Sequence, residues 1–183
     1  MSFLKLAETA PPSTPAAGLV EVFANVSGRL SQIDDAGNVI QFGASAGAGA
    51  VVQSSPADPT GTTDATGKMM GLAASITPAS SGRIHVTITG TIKNASAIAD
   101  GANVQLRTGT GAAPANGDAL TGTARGGLVK YVAATTAQKV PFTVCAIVSG
   151  LSLSVAVWLD LGLAAVTGGT AEVTDLSVTA FEF

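Results

Sequence analysis

The amino-acid sequence predicts an all-β chain: a small N-terminal β-meander followed by a C-terminal antiparallel β-sandwich of jelly-roll type. Three observations carry this. Residues 151–163, LSLSVAVWLDLGL, place Leu or Val at every odd position, the period-two pattern of a strand with one apolar face. Comparable alternation recurs in about eight runs over about 115 residues with no convincing helical stretch, the signature of an antiparallel sandwich. Turn-forming clusters containing Gly or Pro separate the runs, and long strands returning across the domain suggest a jelly roll.

In chain order, residues 1–17 open with Phe3, Leu4 and Leu6 and continue through Pro11, Pro12 and Pro15. Proline fixes φ and removes a backbone donor, so this segment reads as an extended docking arm. Three short strands are expected next, at 19–23, 29–33 and 38–42. The clusters Asn25 to Gly28 and Asp34 to Gly37 between them end in Gly, as tight hairpins require. Asp34 and Asp35 could be an acidic metal pair, but Asp before Gly is first of all turn chemistry. A three-stranded meander of this size is marginal alone.

These residues carry a resemblance. The stretch PPSTPAAGLVEVFANVSGRLSQIDDAGNVIQF resembles an N-terminal module that recurs in tailed-bacteriophage virion proteins such as tail fibres and head fibres. The matching positions are Pro12, Pro15, Ala16, Gly18, Gly28, Arg29, Leu30, Asp35, Gly37 and Phe42. The resemblance covers under a fifth of the chain. It implies that residues 1–42 form a virion attachment module, with Phe3, Leu4, Leu6, Pro12, Pro15, Leu19, Val22 and Phe23 as candidate attachment residues and capsid or tail proteins as partners.

Residues 43–67 are Gly, Ala, Ser, Thr and Pro without periodicity and read as a flexible linker. From Met69 the alternation returns. Met70, Leu72, Ala74 and Ile76 form one row; Ile84, Val86, Ile88 and Ile92 a second; Val104 and Leu106 a third. Residues 128–133 give a short strand. Val140, Phe142, Val144, Ala146 and Val148 precede the 151–163 strand, and residues 171–183 close the domain. This 68–183 head is similar in pattern to the jelly-roll trimerisation heads of the C1q/TNF-like type, which implies a homotrimer. In the last strand Leu176, Val178 and Ala180 share one face, while Phe181 and Phe183 lie on the other. Those two rings, and Trp158 among small neighbours, are the candidate trimer interface.

Composition bounds the function. Charged residues make up 11% of the chain, against about 25% in average soluble proteins, so much of the surface is expected to face another copy or an assembly. The net charge of −3 and the lack of a basic run argue against nucleic-acid binding. The uncharged stretch Val140 to Leu159 could pass for a membrane span, but Pro141, Gly150 and several Ser and Thr interrupt it and Asp160 sits inside the pattern. No apolar leader is seen at the N-terminus, and the chain is expected to be made in a reducing cytoplasm. Cys145, the only cysteine, is expected to be a buried, inert thiol.

No catalytic constellation or cofactor motif emerges. His85, the sole histidine, alternates with a core row, points outward and has no signalled partner. Asp160 is expected to hydrogen-bond across the sheet or to a neighbouring copy. One His and one Cys cannot build a metal site without scattered carboxylates. The expectation is a non-enzymatic phage virion protein, a homotrimeric head fibre or capsid-decorating protein anchored by its N-terminal region. The alternative is a short tail fibre whose loops 95–103 and 109–122 recognise host surface glycan.

Overall fold

The structure is a computed structural model that describes residues 8–9, 11–25, 30–41, 49–94 and 96–183. It is all-β, with no helix among the described residues. The chain divides into two compact units, Met1–Gly47 and Ala48–Phe183.

The first unit is a four-stranded sheet in the order β1-β2-β3-β4. Its strands are β1 (Glu8–Thr9), β2 (Val20–Asn25), β3 (Leu30–Asp34) and β4 (Val39–Gln41). The meander is therefore as read, with one addition: β1 runs parallel to β2, Glu8 opposite Ala24. Alternation separates the faces. Phe23 and Ile33 are buried on one, while Val20, Val22 and Leu30 are exposed on the other. The β3–β4 turn is built on Asp34, whose Oδ1 accepts the N–H of Ala36 at 3.0 Å and of Asn38 at 2.8 Å, while Oδ2 accepts the Asn38 amide at 2.9 Å. Gly37 sits at φ 85°, a conformation cheap only for glycine. Those hydrogen bonds, that of the Asn38 side chain above all, hold the Asp34 carboxyl below its usual range. Asp35 accepts the N–H of Gly18 at 2.6 Å. Asp34 is turn chemistry, while Asp35 ties that turn to Gly18, 17 residues earlier.

The second unit contains β5 (Val51–Ser54), β6 (Lys68–Met69), β7 (Ala74–Ile76), β8 (Ile84–Asn94), β9 (Gly101–Thr110), β10 (Thr123–Val132), β11 (Lys139–Val148), β12 (Val157–Val166) and β13 (Ala171–Glu182). They form two sheets, β11-β8-β13-β5 and β10-β9-β12-β6, with β7 also on β12. Every pairing in this unit is antiparallel. The pairs β5–β13, β6/β7–β12, β8–β11 and β9–β10 are nested like the rungs of one long hairpin. Rolling that hairpin up puts alternate rungs in opposite sheets, which is the jelly roll. The inner rows interdigitate as one core. Ile84, Val86, Ile88 and Ile92 of β8 face it, with Leu159, Leu161 and Leu163 of β12 and Val173, Leu176, Val178 and Ala180 of β13. Each such Ile, Leu or Val side chain, fully buried, contributes about 1.5–3 kcal/mol.

Several expectations are corrected. The 43–67 linker is shorter than composition suggests, since Val51–Ser54 pairs with β13 and Thr62 bridges Ala171. Four residues are too few to show a period, and the pairing uses backbone groups on the open edge of β13. The strand expected at 151–163 begins only at Val157, where both neighbours stop: Val157 lies opposite Thr110 and Ile76, the last residues of β9 and β7. Without partners the upstream residues turn, with Ser154 at φ 61° and Leu153 and Val155 exposed. The row from Met70 to Ile76 is broken at Gly71 and Ala73, both at positive φ. The strand expected at 128–133 starts earlier, at Thr123, behind a register shift between Arg125 and Val129. Cys145 is exposed, because it alternates with the inward Val144 and shares the outer face of β11 with Ile147.

Candidate functional site

The outer face of β11-β8-β13-β5 carries the least expected surface of the second unit. At one end the register aligns four residues across the whole sheet: Ile147 of β11, His85 of β8, Phe181 of β13 and Val51 of β5. Ile147 is 59% exposed, Phe181 41% and Val51 73%. Phe183 extends the row at 48%, its ring centroid 6.3 Å from that of Phe181. Phe181 leans on His85 with centroids 5.2 Å apart, and the Arg83 guanidinium lies 4.8 Å over the Phe183 ring, within cation–π range. The next rows are small and uncharged: Cys145, Thr87, Thr179 and Gln53, then Thr143, Thr89 and Ser177. Charge returns farther along, at Asp175, whose Oδ2 accepts the Thr91 hydroxyl at 2.9 Å, and where Lys93 pairs with Glu172 at 2.9 Å. A contiguous apolar band on a charge-poor face is the pattern of an interaction surface.

Glu182 positions this end. It falls on the inward row after Val178 and Ala180, where a carboxylate must be fully partnered. Its Oε1 accepts the N–H groups of Ser80 at 2.9 Å, Ser81 at 2.6 Å and Gly82 at 3.0 Å, and the Ser81 hydroxyl at 3.2 Å. Its Oε2 accepts the N–H of Ala79 at 2.7 Å and of Ala50 at 3.2 Å. These donors, Ala79 foremost, hold the carboxyl far below the ordinary glutamate range. The clamp fixes the last strand between residues 79–82 and Ala50, so Phe181 and Phe183 project on the opposite side. Sequence reasoning passed over Glu182, although an acid in the apolar alternation of β13 was the signal for it.

Asp160 is a second buried carboxylate, on the outer side of β12. Oδ2 accepts the N–H of Gly71 at 2.9 Å, and Oδ1 those of Leu72 at 3.2 Å and Leu161 at 2.7 Å. Burial nevertheless pushes its pKa up. The expected hydrogen bond is therefore made within the chain, and it pins the kink between β6 and β7.

The candidate interface and attachment residues divide. Phe181 and Phe183 are exposed together. Trp158 is not with them. It is buried on the other sheet, its ring against Gly109 and Gly122 and its N–H donating to the Thr110 carbonyl at 3.3 Å. At 5% exposed it is buried within its own chain and offers little surface to a trimer interface. In the first unit Leu19 and Val22 are exposed, Pro12 and Pro15 half-buried, and Phe23 buried. Phe23 is thus part of that sheet's interior, not its attachment surface. Phe3, Leu4 and Leu6 lie outside the described residues, as do Gly28, Arg29 and Phe42. His85 points outward as expected, its ring against Phe181. Among the described residues no group of three or more His, Cys, Asp or Glu is placed to hold a metal, and no helix is long and apolar enough to cross a membrane. Comparison with known proteins finds no family model that matches the chain and no curated protein that matches it.

Proposed function

We propose that the chain is a non-enzymatic structural protein of a tailed-bacteriophage particle, a homotrimeric head fibre or capsid-decorating protein. In this reading the jelly roll self-associates through the band formed by Val51, Phe181, His85, Ile147 and Phe183, and the N-terminal region fastens it to the particle. The observation that carries it is that band on a charge-poor sheet face. Water penalises such a surface, and a second copy relieves the penalty. The exposed Leu19, Val20, Val22 and Leu30 supply a corresponding surface for attachment. The stoichiometry and the virion setting come from the sequence resemblances.

Light scattering on the full chain tests the association. The expected mass is three times the 17.9 kDa of one chain, and Phe181→Asp is expected to give a monomer with an unchanged β-sheet circular dichroism spectrum. A wild-type species of one chain's mass at micromolar concentration overturns the reading. Gold-labelled antibody on intact particles then tests location: label on the capsid shell supports a decorating role, and label on the tail replaces it with the tail-fibre role.

A further inference from the structure

The outer face of the other sheet holds a small cavity with both polar and apolar walls. Strand β9 projects Asn103, Gln105 and Arg107 from alternate positions, and β12 sets Ala164 and Gly162 beside the first two. Two such small residues leave a floor. Residues 65–67 and Leu128 line the cavity, and Leu120 overhangs it: a Cβ at Gly162 would lie 2.8 Å from Leu120 Cδ2 and 3.1 Å from Arg107 Nε. The volume is about 190 Å³, the share of roughly six liquid waters. That suits one ring-sized residue and is below the range for drug-sized ligands.

The lining is chemically unfinished. The amides of Asn103 and Gln105 are half-buried and make no hydrogen bond among the described residues. Each offers both donors and an acceptor. Arg107 Nη1 donates to the carbonyls of Thr121 at 2.9 Å and Gly122 at 3.3 Å, which fixes the guanidinium plane. Nε and Nη2 have no partner among the described residues, so one edge of the fork stays open. Asp160, across the register from Arg107, does not take it, because its oxygens already accept backbone N–H groups. The two ion pairs among the described residues, Lys68–Asp64 and Lys93–Glu172, do not involve Arg107.

We propose that this cavity binds one residue of an acidic sugar. The carboxylate pairs with the Nε/Nη2 edge of Arg107, the planar two-point geometry that guanidinium favours. Ring hydroxyls, each donor and acceptor, meet the Asn103 and Gln105 amides, and the C–H face lies against Leu120 and Leu128. A peptide carboxylate would fill the fork and leave both amides without partners. A neutral hexose would do the reverse, and no aromatic ring lines the cavity to stack on it. The site belongs to the sheet opposite the apolar band and stands whether or not the chain self-associates.

The test is a ¹H–¹⁵N correlation titration of the full chain with sodium glucuronate, glucose and sodium acetate, each to millimolar concentrations. Glucuronate is expected to shift the amides of residues 103–107 and 162–164 saturably, with glucose and acetate at least about tenfold weaker. Gly162→Ala, which fills the floor, and Gln105→Ala, which leaves the 121–122 contact intact, are each expected to weaken glucuronate at least about fivefold. Arg107→Gln is expected to abolish its advantage over glucose. The proposal is overturned by the absence of saturable shifts, by acetate equalling glucuronate (a site for acidic peptide), by glucose equalling it (a neutral-glycan site), or by unchanged affinity in Gly162→Ala and Gln105→Ala.

Discussion

The two sheets of the jelly roll treat their outer faces differently. On β10-β9-β12 the large outward side chain of β12 is buried: Trp158 lies across Gly109, its neighbour in register on β9, and Gly122, and Asp160 holds the N–H groups of Gly71 and Leu72, while Leu128 and Val132 of β10 stay exposed. On β11-β8-β13-β5 no such cover is present among the described residues, and Val51, Phe181, Ile147 and Phe183 stay exposed. Yet both sheets use a single acid in the same way, as a clip for a passing segment. The difference lies in what the clip leaves outside. Asp160 holds the backbone of residues 71–72 beside β12. Glu182 points inward, fixes residues 79–82 at the rim, and leaves the aromatic side bare.

Removing one large side chain from each face is the strongest test of this contrast. Trp158→Ala, on the covered face, is expected to cost about 3–5 kcal/mol in urea unfolding and to leave oligomeric mass unchanged. Phe181→Ser, on the bare face, is expected to change the stability of the isolated chain by no more than about 1 kcal/mol and to reduce the mass seen by light scattering. Equal losses of stability in the two variants would end the distinction.

Acid separates the two clips next. The folded-state pKa of Glu182 is depressed, so its stabilisation is present above the unfolded value of about 4.3 and fades as pH falls below it. That of Asp160 is raised, so its contribution has the opposite sign: the fold favours the protonated form, and stability is lost as pH rises through the raised value. Unfolding midpoints between neutral pH and pH 3 are expected to show less acid loss in Glu182→Gln than in wild type, from a lower starting point. They are expected to show more acid loss in Asp160→Asn, where the offsetting gain is missing. Asp34, Asp64 and Asp175, also depressed by hydrogen bonds, keep part of the acid loss in both. Identical slopes for the two variants would show that the acids do not act in opposite directions.

The smallest expected effect concerns Cys145, on the bare face two residues from Ile147. Maleimide is expected to label it rapidly in Phe181→Asp and several-fold more slowly in the wild-type protein at concentrations where it associates. Equal rates would place the contact elsewhere on the molecule.

Much of this architecture was legible in the sequence, and the failures have physical reasons. The rows Ile84–Ile92 and Val140–Val148 read correctly because strict alternation over nine residues satisfies one geometry only. Residues 151–156 alternate as strictly and are a turn, since alternation shows that a strand could form and not whether a neighbour exists. Residues 51–54 were missed for the converse reason: their neighbour is β13, distant in sequence. Facing alone is enough to read Phe181 and Phe183 as outward, and both are exposed. Trp158 lies on the side of its strand that alternation gives but is buried by its own chain, because nothing local to β12 reveals that its neighbours across the sheet, Gly109 and Gly122, leave room for the ring. The cavity at Arg107 depends on the register between β9 and β12 and could not be read from either strand.

The Glu182 clip also sets the order in which the jelly roll can be made. Its bond to the Ala50 amide joins groups 132 positions apart, and β5 pairs with β13 alone. During synthesis the early half of the roll therefore emerges from the ribosome with open strand edges and no closing partner. Contacts of such long sequence separation fold slowly, and unpaired edges left waiting invite aggregation. Yield from a cell should consequently depend on translation speed and chaperone supply more than the final stability of the folded chain would suggest.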